Sequence, residues 1–210
     1  TNVMGCSKRI CEIYCQSLNK MINEHADGKS ATQFVTTRFG NVLGSNGSVI
    51  PLFEKQIKAG GPVTVTDPNI IRFFMLIPEA CKLVLEAGTH GGGGEIFVFD
   101  MGKPVRIADL AKRMIKLSGA KNIEIKYTGL RAGEKLYEEV LSTTENTLPS
   151  FHEKIRIAEV REYDFNEVEK QIEELIELSH TYNDMAIVEK MKEIVPEYVS
   201  NNSKYSVLDK

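Results

Sequence analysis

The spacing of apolar and polar positions predicts helices alternating with strands along most of the chain. Helical periodicity runs from about residue 3 to 23, and Asn2 suits the N-cap position before it. The predicted apolar stripe of this helix consists of Cys11, Cys15, Leu18 and Ile22, widened by Ile10 and Tyr14. Further helices are predicted over residues 49–59, 78–87, 107–117, 165–179 and 184–194. Strands are predicted over residues 33–37, 63–66, 95–100 and 123–127, with 70–75 extended and 154–158 as an edge strand. This alternation favours an α/β fold.

The loop between the first predicted strand and the helix at 49–59 is the first candidate site. It contains three glycines, two asparagines and two serines within residues 40–48. Such a loop lets a ligand approach the backbone, and the amides that open the following helix can face an anion. In open α/β sheets, ligands gather outside the carboxyl ends of strands, where this loop is expected to lie. The alternative is an ordinary Gly/Asn-rich connection.

Three further segments have distinct predictions. Arg72 lies in an apolar run, and an arginine there requires an anionic partner. Arg131 and Glu134 flank a glycine at a predicted helix start, where they suit a phosphate and a ribose diol or form a surface ion pair. The four glycines at 91–94 precede a strand, the wrong order for a phosphate loop, and predict a flexible turn. The tail from Ser200 is predicted to be disordered.

Composition narrows the function classes. The 210 residues are 42% hydrophobic and 26% charged, enough for one domain with a small appendage. A net charge of −3 gives no reason to propose nucleic acid as a partner. No run of eighteen apolar residues or signal-peptide pattern occurs, so a cytoplasmic location without membrane contact is expected. The cysteines lack a C-x-x-C pair and are interpreted as buried apolar residues in a reducing compartment, with no metal site expected.

Met4 and Lys8 are four residues apart, so their side chains share one face of the first helix. Taken alone, a Met and a Lys at this spacing are usually a core residue and a surface residue. Short-chain dehydrogenase/reductase enzymes carry Tyr and Lys at this spacing, and Met4 would occupy the Tyr position.

The order of several motifs makes the resemblance specific. They are NVMGCSKR (2–9), RFGNVLGSNGSVIP (38–51), GPVTVTDP (61–68), RFFM (72–75), FVFDMG (97–102) and TGLRAGEK (128–135). Together they closely resemble the CapD-like polysaccharide biosynthesis proteins, nucleotide-sugar 4,6-dehydratases of bacterial capsule and O-antigen pathways. Met in place of Tyr is a mark of this branch. Ala132 departs from the Pro usual in the last motif, which should alter loop stiffness more than chemistry.

The resemblance implies an α/β fold that is the C-terminal part of an extended short-chain dehydrogenase/reductase Rossmann fold, plus a small α/β substrate-binding domain. Residues 1–48 would close the Rossmann domain. Residues 49–142 would be mainly the sugar-nucleotide-binding domain with interleaved Rossmann elements. Residues 143–199 would be a C-terminal strand and helices, and residues 200–210 a tail.

The resemblance also implies roles for individual residues. Lys8 would bind the ribose of NADP or NAD beside Met4, and the nicotinamide would be bordered by Phe39, Gly40 and Val42. The substrate would be UDP-N-acetylglucosamine. Its diphosphate would meet Asn41, Arg72 and Arg131, its ribose hydroxyls Glu134, and its sugar the helix start at Val49. Its uracil would be flanked by the backbone of Val63, Thr64, Val65 and Thr66.

The implied reaction oxidises C4 of the sugar, removes water across C5 and C6, and returns the hydride to C6. The family's acid and base and its glycine-rich fingerprint lie before the Tyr/Met helix and are absent from this sequence. We therefore expect a piece of a longer enzyme that is inactive alone. We expect this piece either to form oligomers or to be disordered near residues 1–30. Because family members often carry N-terminal membrane helices, the resemblance also implies that the parent enzyme is anchored in the inner membrane. The alternatives are a UDP-sugar 4-epimerase or reductase of the same superfamily, or a non-catalytic nucleotide-sugar-binding domain.

Overall fold

The computed structural model describes residues 2–26, 31–137 and 146–209, and it confirms the predicted helices to within a few residues. Within these ranges the α-helices are α1 Val3–Glu24, α2 Val49–Lys58, α3 Ile77–His90, α4 Ile107–Ser118, α5 Phe165–Ser179 and α6 Asp184–Ile194. The strands are β1 Thr36–Arg38, β2 Asn41–Val42, β3 Val63–Val65, β4 Ile71–Arg72, β5 Phe74–Met75, β6 Ile96–Phe99, β7 Val105–Arg106, β8 Ile125–Tyr127, β9 Asn146–Pro149 and β10 Ile155–Glu159. None of the described helices has the length and apolar character needed to cross a membrane.

A four-stranded mixed sheet of order β1-β6-β10-β9 forms the centre of the molecule. β1 runs parallel to β6 and places Thr37 beside Phe97, while β10 runs antiparallel and places Ile157 on the other side of Phe97. All four side chains of β6 are buried. A continuous apolar run is what a strand covered on both faces requires, and the segment at 95–100 predicted it correctly.

The prediction of an edge strand at 154–158 is wrong, because β9 pairs with the outer side of β10. The polar sequence of β9 gave no strand signal. Its pairing is supported by Arg156, whose Nε donates to Thr147 Oγ1 at 2.6 Å. Residues 138–145, which precede β9, lie outside the described ranges.

A second apolar core forms around the parallel pair of β3 and β8, which α2 and α4 cover. Phe53 and Ile57 of α2 pack there against Val63, Val65 and other buried residues. The predicted extended segment at 70–75 divides into β4, which pairs with β7, and β5, which pairs with β2. These short pairs connect the second core to the central sheet.

The predicted apolar stripe of α1 is correct at Ile10 and Tyr14, which lie in or against the core, and wrong in its centre at Cys11. The buried positions include Cys6, Ile10, Ile13 and Ser17, whereas Cys11 is exposed. The reason is that α5 and α6 pack on the Cys6 face, and local periodicity carries no information on partners so distant in sequence. The buried thiol is therefore that of Cys6, and burial raises its pKa to about 12.

Residues 200–209 are ordered, whereas the sequence predicted a disordered tail from Ser200. Lys204–Leu208 form a 3₁₀ helix that Ser203 caps. The Asp209 carboxylate then bonds the ammonium of Lys192 on α6 and accepts from the Ser200 amide at 2.9 Å. Disorder near the N-terminus is likewise not observed across α1, which Asn2 caps as predicted; residues 27–30 lie outside the described ranges.

The four-glycine segment is a helix-to-strand turn, as predicted, but its glycines serve close packing rather than flexibility. A Cβ atom at Gly91 would lie 2.5 Å from Val35 Cγ1. The Gly92 and Gly93 amides both donate to the Glu95 carboxylate, at 2.8 and 2.7 Å. The glycines thus let α3 and β6 meet at short range.

Candidate functional site

The Glu134 carboxylate is the centre of the candidate site, because three predicted residues meet there. Thr66, which follows β3, donates its hydroxyl to Glu134 Oε1 at 3.1 Å. The Arg131 amide donates to Oε2 at 3.0 Å. Arg72 Nη2 lies 3.6 Å from Oε1, an ion-pair distance beyond hydrogen-bond range. Both carboxylate oxygens are therefore oriented before any ligand binds.

Arg131 to Glu134 form a β-turn, closed by the Glu134 amide donating to the Arg131 carbonyl at 3.0 Å. Gly133 holds the third position with φ of 72°, which a type II turn requires. The helix start predicted at Glu134 is wrong within the described residues, where 131–137 form turns and bends. The turn leaves the Arg131 side chain exposed and the Glu134 side chain partly buried.

Arg72 is held by the backbone beside Glu134. Its Nη1 donates to the Ile71 carbonyl at 2.7 Å, with the Leu136 carbonyl at 3.5 Å. Its side chain is 19% exposed. Among the described residues these contacts engage Nη1 and Nη2, and a guanidinium has five donors. Arg72 thus has an anionic partner in Glu134, as predicted for an arginine in an apolar run, and donors left for a second anion.

The backbone of β3 is already hydrogen-bonded where the sequence predicted contacts with a base. The Val63 amide donates to the Glu124 carbonyl, and the Val65 carbonyl accepts from Thr128. The Thr64 amide donates to Oε1 of Gln56 at 3.0 Å, and Gln56 Nε2 donates to the Thr64 hydroxyl at 2.7 Å. Val63 and Val65 are buried core residues, and the Thr64 amide and hydroxyl are bonded to Gln56. Thr66, directly after β3, is the residue of this segment that bonds Glu134.

Residues 39–42 are fixed against β5 and the loop after β6. The Phe39 ring stacks on Phe99 with centroids 5.5 Å apart, and it is 36% exposed. The Gly40 amide points at Met101 Sδ, and a Cβ at Gly40 would lie 3.2 Å from Met101 Cε. Asn41 pairs with β5 through its amide and donates its side-chain Nδ2 to the Phe73 carbonyl at 3.3 Å.

The start of α2 has an unused polar group. Ser48 is the N-cap residue, yet its side chain makes no capping bond. Its Oγ is buried and has no hydrogen-bond partner among the described residues. A buried hydroxyl without a partner is costly, and the first amides of a helix attract anions. Val49, the predicted substrate residue, is the first residue of this helix.

Met4 and Lys8 lie on the exposed side of α1, with Met4 67% exposed. Both side chains are available to a ligand, one helical turn apart. The structure thus brings together Thr66, Arg72, Glu134 and the Arg131 backbone. Phe39, Gly40, Asn41 and Val42 form a separate group.

Sequence reasoning missed Gln56 and the second role of Asn2. Asn2 Nδ2 donates to the Gly133 carbonyl at 2.9 Å, in addition to capping α1. Gln56 lies in the apolar-periodic helix α2, and its contact with Thr64 depends on tertiary packing. No local signal marks either contact.

Comparison with known proteins identifies the family of this chain. A family model described as polysaccharide biosynthesis protein matches residues 1–193. The chain is 54% identical over 178 residues to the capsular polysaccharide biosynthesis protein CapD of Staphylococcus aureus, covering 84% of this chain and 28% of CapD. It is 49% identical over 179 residues to the probable polysaccharide biosynthesis protein EpsC of Bacillus subtilis, with 84% and 29% covered. The chain thus spans less than a third of the length of these relatives.

More distant relatives include a UDP-glucose 4-epimerase of Rickettsia canadensis, 42% identical over 144 residues, with 68% of this chain and 40% of the epimerase covered. Among solved structures, Pen from Bacillus thuringiensis matches with a TM-score of 0.56 and 40% identity, covering 68% of this chain and 44% of Pen. The fold is thus a mixed α/β fold with parallel strand pairs, which this chain shares with Pen. Within that class, the chain belongs to the polysaccharide biosynthesis protein family.

Proposed function

We propose that this chain is the substrate-binding part of a UDP-N-acetylglucosamine 4,6-dehydratase that acts in bacterial polysaccharide biosynthesis. The family membership supports a role in polysaccharide synthesis, and the nucleotide-sugar substrate is our inference from the site. The observation that carries it is the oriented Glu134 carboxylate between Thr66 and Arg72.

Glu134 suits the ribose of a UDP-sugar. A carboxylate accepts hydrogen bonds in pairs, as a ribose diol donates them. The Thr66 hydroxyl and the Arg131 amide already orient its two oxygens, so little side-chain entropy remains to be lost on binding.

The diphosphate is proposed to lie between Arg72 and Arg131. Arg72 is held rigidly by backbone carbonyls, while Arg131 is exposed and adaptable. Planar guanidinium groups bind phosphate oxygens in pairs. The unpartnered Ser48 hydroxyl and the first amides of α2 supply further donors, which supports placing the sugar-phosphate beside Val49. Asn41 is assigned to the same diphosphate.

A nicotinamide cofactor, NADP or NAD, is proposed to lie along α1 and residues 39–42. The exposed ammonium of Lys8 fits a ribose hydroxyl, and the partly exposed ring of Phe39 fits a flat heterocycle. When bound, the cofactor supplies the hydride acceptor for C4 and the donor for C6. Lys8 orients the ribose and keeps a positive charge near the reacting carbon, and Met4 excludes water from the position that a tyrosine fills elsewhere.

Met4 favours the proposed reaction over 4-epimerisation, because epimerases of this superfamily generally keep a tyrosine at this position. Both reactions must remove the proton of the C4 hydroxyl, and a thioether is too weak a base to take it, so another residue would have to do so. The identity to a UDP-glucose 4-epimerase keeps epimerisation as the second candidate. A non-catalytic nucleotide-sugar-binding role is the third, because the residues proposed to bind substrate do not themselves transfer protons.

Product analysis separates the three candidates. The natural protein that carries this chain is incubated with UDP-N-acetylglucosamine and NADP or NAD in deuterated water and followed by proton NMR. Dehydration gives a 4-keto-6-deoxy sugar with a new methyl signal and deuterium at C5. A change of configuration at C4 without a methyl signal identifies an epimerase and refutes the dehydratase. Binding without any product identifies the non-catalytic role.

A further inference from the structure

We propose that Asn2 and Asn202 are positioning residues for the substrate turn, defined as residues 131–134. The inference rests on the proposed function, because it explains what orients the residues that are proposed to bind ribose and phosphate. Asn2 lies at the start of α1 and Asn202 lies in the C-terminal segment, so two distant parts of the chain meet at Gly133.

Asn2 uses both ends of its side-chain amide. Its Oδ1 accepts from the Gly5 amide at 2.7 Å and so caps α1. Its Nδ2 donates to the Gly133 carbonyl at 2.9 Å. Aspartate caps a helix equally well but has no donor. Asn2 therefore does more than a helix cap requires.

Gly133 is shaped for this contact. It is buried, and a Cβ built on it would lie 3.0 Å from the Asn2 Cβ. Its φ of 72° also disfavours any residue with a side chain. Glycine here satisfies both the turn and the close approach of Asn2.

Asn202 holds the opposite side of Gly133. Its carbonyl accepts from the Gly133 amide at 3.3 Å, and its Nδ2 lies 3.5 Å from the Arg131 carbonyl. Its own φ is 49°, a left-handed conformation that asparagine tolerates better than most residues. The bonds between Asp209, Lys192 and Ser200 keep this segment on α6.

The turn is thus held from two sides at the residue directly before Glu134. If either side is released, Gly133 can rotate, and the Glu134 carboxylate and the Arg131 guanidinium lose their fixed directions. The same residue that starts α1, the helix proposed to bind the cofactor through Lys8, also fixes the substrate turn. We infer that this junction keeps the two proposed ligands in register.

Asn2→Asp tests the donor separately from the cap, because it preserves the cap and removes only the bond to Gly133. The matched control is Asn166→Asp, the same change in the first turn of α5. In the whole chain we expect Asn2→Asp to weaken UDP binding by about tenfold, the effect of one hydrogen bond to a buried carbonyl. We also expect faster hydrogen exchange at the Gly133 and Glu134 amides, a melting temperature lowered by only roughly 2–4 °C, and no change in any of these for Asn166→Asp.

Asn202→Gly and Asn202→Pro test the other side. Glycine keeps the left-handed backbone, so UDP binding should stay within about twofold, whereas proline cannot adopt it and should weaken binding as Asn2→Asp does. Wild-type exchange and affinity in Asn2→Asp and Asn202→Pro would overturn the proposal, and so would losses that merely follow a more strongly lowered melting temperature. If the wild-type chain does not bind UDP, the proposed function fails, and exchange at Gly133 and Glu134 still decides the role of the junction.

Discussion

Glu12 of α1 provides a sharp test of how the fold fixes the loop at residues 39–42. Arg38, the last residue of β1, donates to it twice, from Nε to Oε1 at 2.6 Å and from Nη2 to Oε2 at 2.7 Å. Arg9 adds a third bond at 3.2 Å and reaches on to Glu197. The side chains of Glu12 and Arg38 are only 12% and 14% exposed. Glu12 therefore neutralises two largely buried guanidinium groups.

Glu12→Ala removes the carboxylate and leaves both guanidinium groups without it. Breaking a buried pair in this way costs about 3–5 kcal/mol, and the remaining exposure favours the lower end. For a chain of this length, about 3 kcal/mol lowers the melting temperature by roughly 6–12 °C. The matched control is Glu162→Ala, which removes the carboxylate from an exposed pair with Lys20 and should have no measurable effect.

Urea unfolding followed by circular dichroism measures the free energy of unfolding of both variants. The double variant Glu12→Leu with Arg38→Met should recover much of the loss, because it removes the Glu12 and Arg38 charges together while Arg9 keeps its bond to Glu197. A loss below about 1 kcal/mol for Glu12→Ala would refute the reasoning, since it would mean that solvent screens the pair as at a surface. A double variant as unstable as Glu12→Ala would show that shape rather than charge is responsible.

Three further predictions concern individual contacts. Ala132→Pro should stabilise the chain by about 0.4–1 kcal/mol in thermal unfolding, because Pro suits the second position of the substrate turn; a lowered melting temperature would contradict the turn assignment. Gly91→Ala should destabilise the chain by about 1–3 kcal/mol through its clash with Val35. Gly88→Ala, in open space on α3, should instead stabilise it by about 0.5–1 kcal/mol. Equal free energies of unfolding in urea for the two variants would contradict the packing described. The hydrogen bond from Lys192 and the Ser200 amide lower the pKa of Asp209, so its contribution is present above the ordinary carboxyl pKa and is lost as pH falls through the lowered value. The protection of the amides at residues 200–209, measured against their intrinsic exchange rates at each pH, should therefore fall in acid, and Asp209→Asn should remove that pH dependence. Identical pH profiles of protection for the two chains would contradict it.

The elements that the sequence predicted well are those whose signals are local. The apolar run of β6 and the periodicity of α4 and α6 need no knowledge of the rest of the chain. The buried face of α1 depends on α5 and α6, and β9 depends on the side chains of β10, so neither follows from a local pattern. The C-terminal segment is polar, so its sequence predicts disorder, and the contact between Lys192 and Asp209 that orders it is not visible in the local pattern.

The predictions for the candidate site show the same difference between local signals and tertiary contacts. Arg72 was predicted to need an anionic partner, and Glu134 was predicted to act together with Arg131. The structure places Arg72 Nη2 3.6 Å from Glu134 Oε1. The backbone of β3 was assigned to a base, yet most of it is paired with β8 or Gln56. The sequence predicted only an N-cap role for Asn2. The contacts of Asn2 and Gln56, which depend on tertiary packing, were thus missed by sequence alone, and the assignment of β3 to a base stays a prediction.

Isothermal titration of the chain with UDP tests the central claim most directly. We predict one site per chain, weakened about 10–100-fold by Arg72→Met or Glu134→Gln, the effect of losing a charge-assisted hydrogen bond. The matched control Arg113→Met, an exposed arginine on α4, should bind as the wild type does. Absence of UDP binding by the wild-type chain, or wild-type affinity in both site variants, would contradict the proposed site.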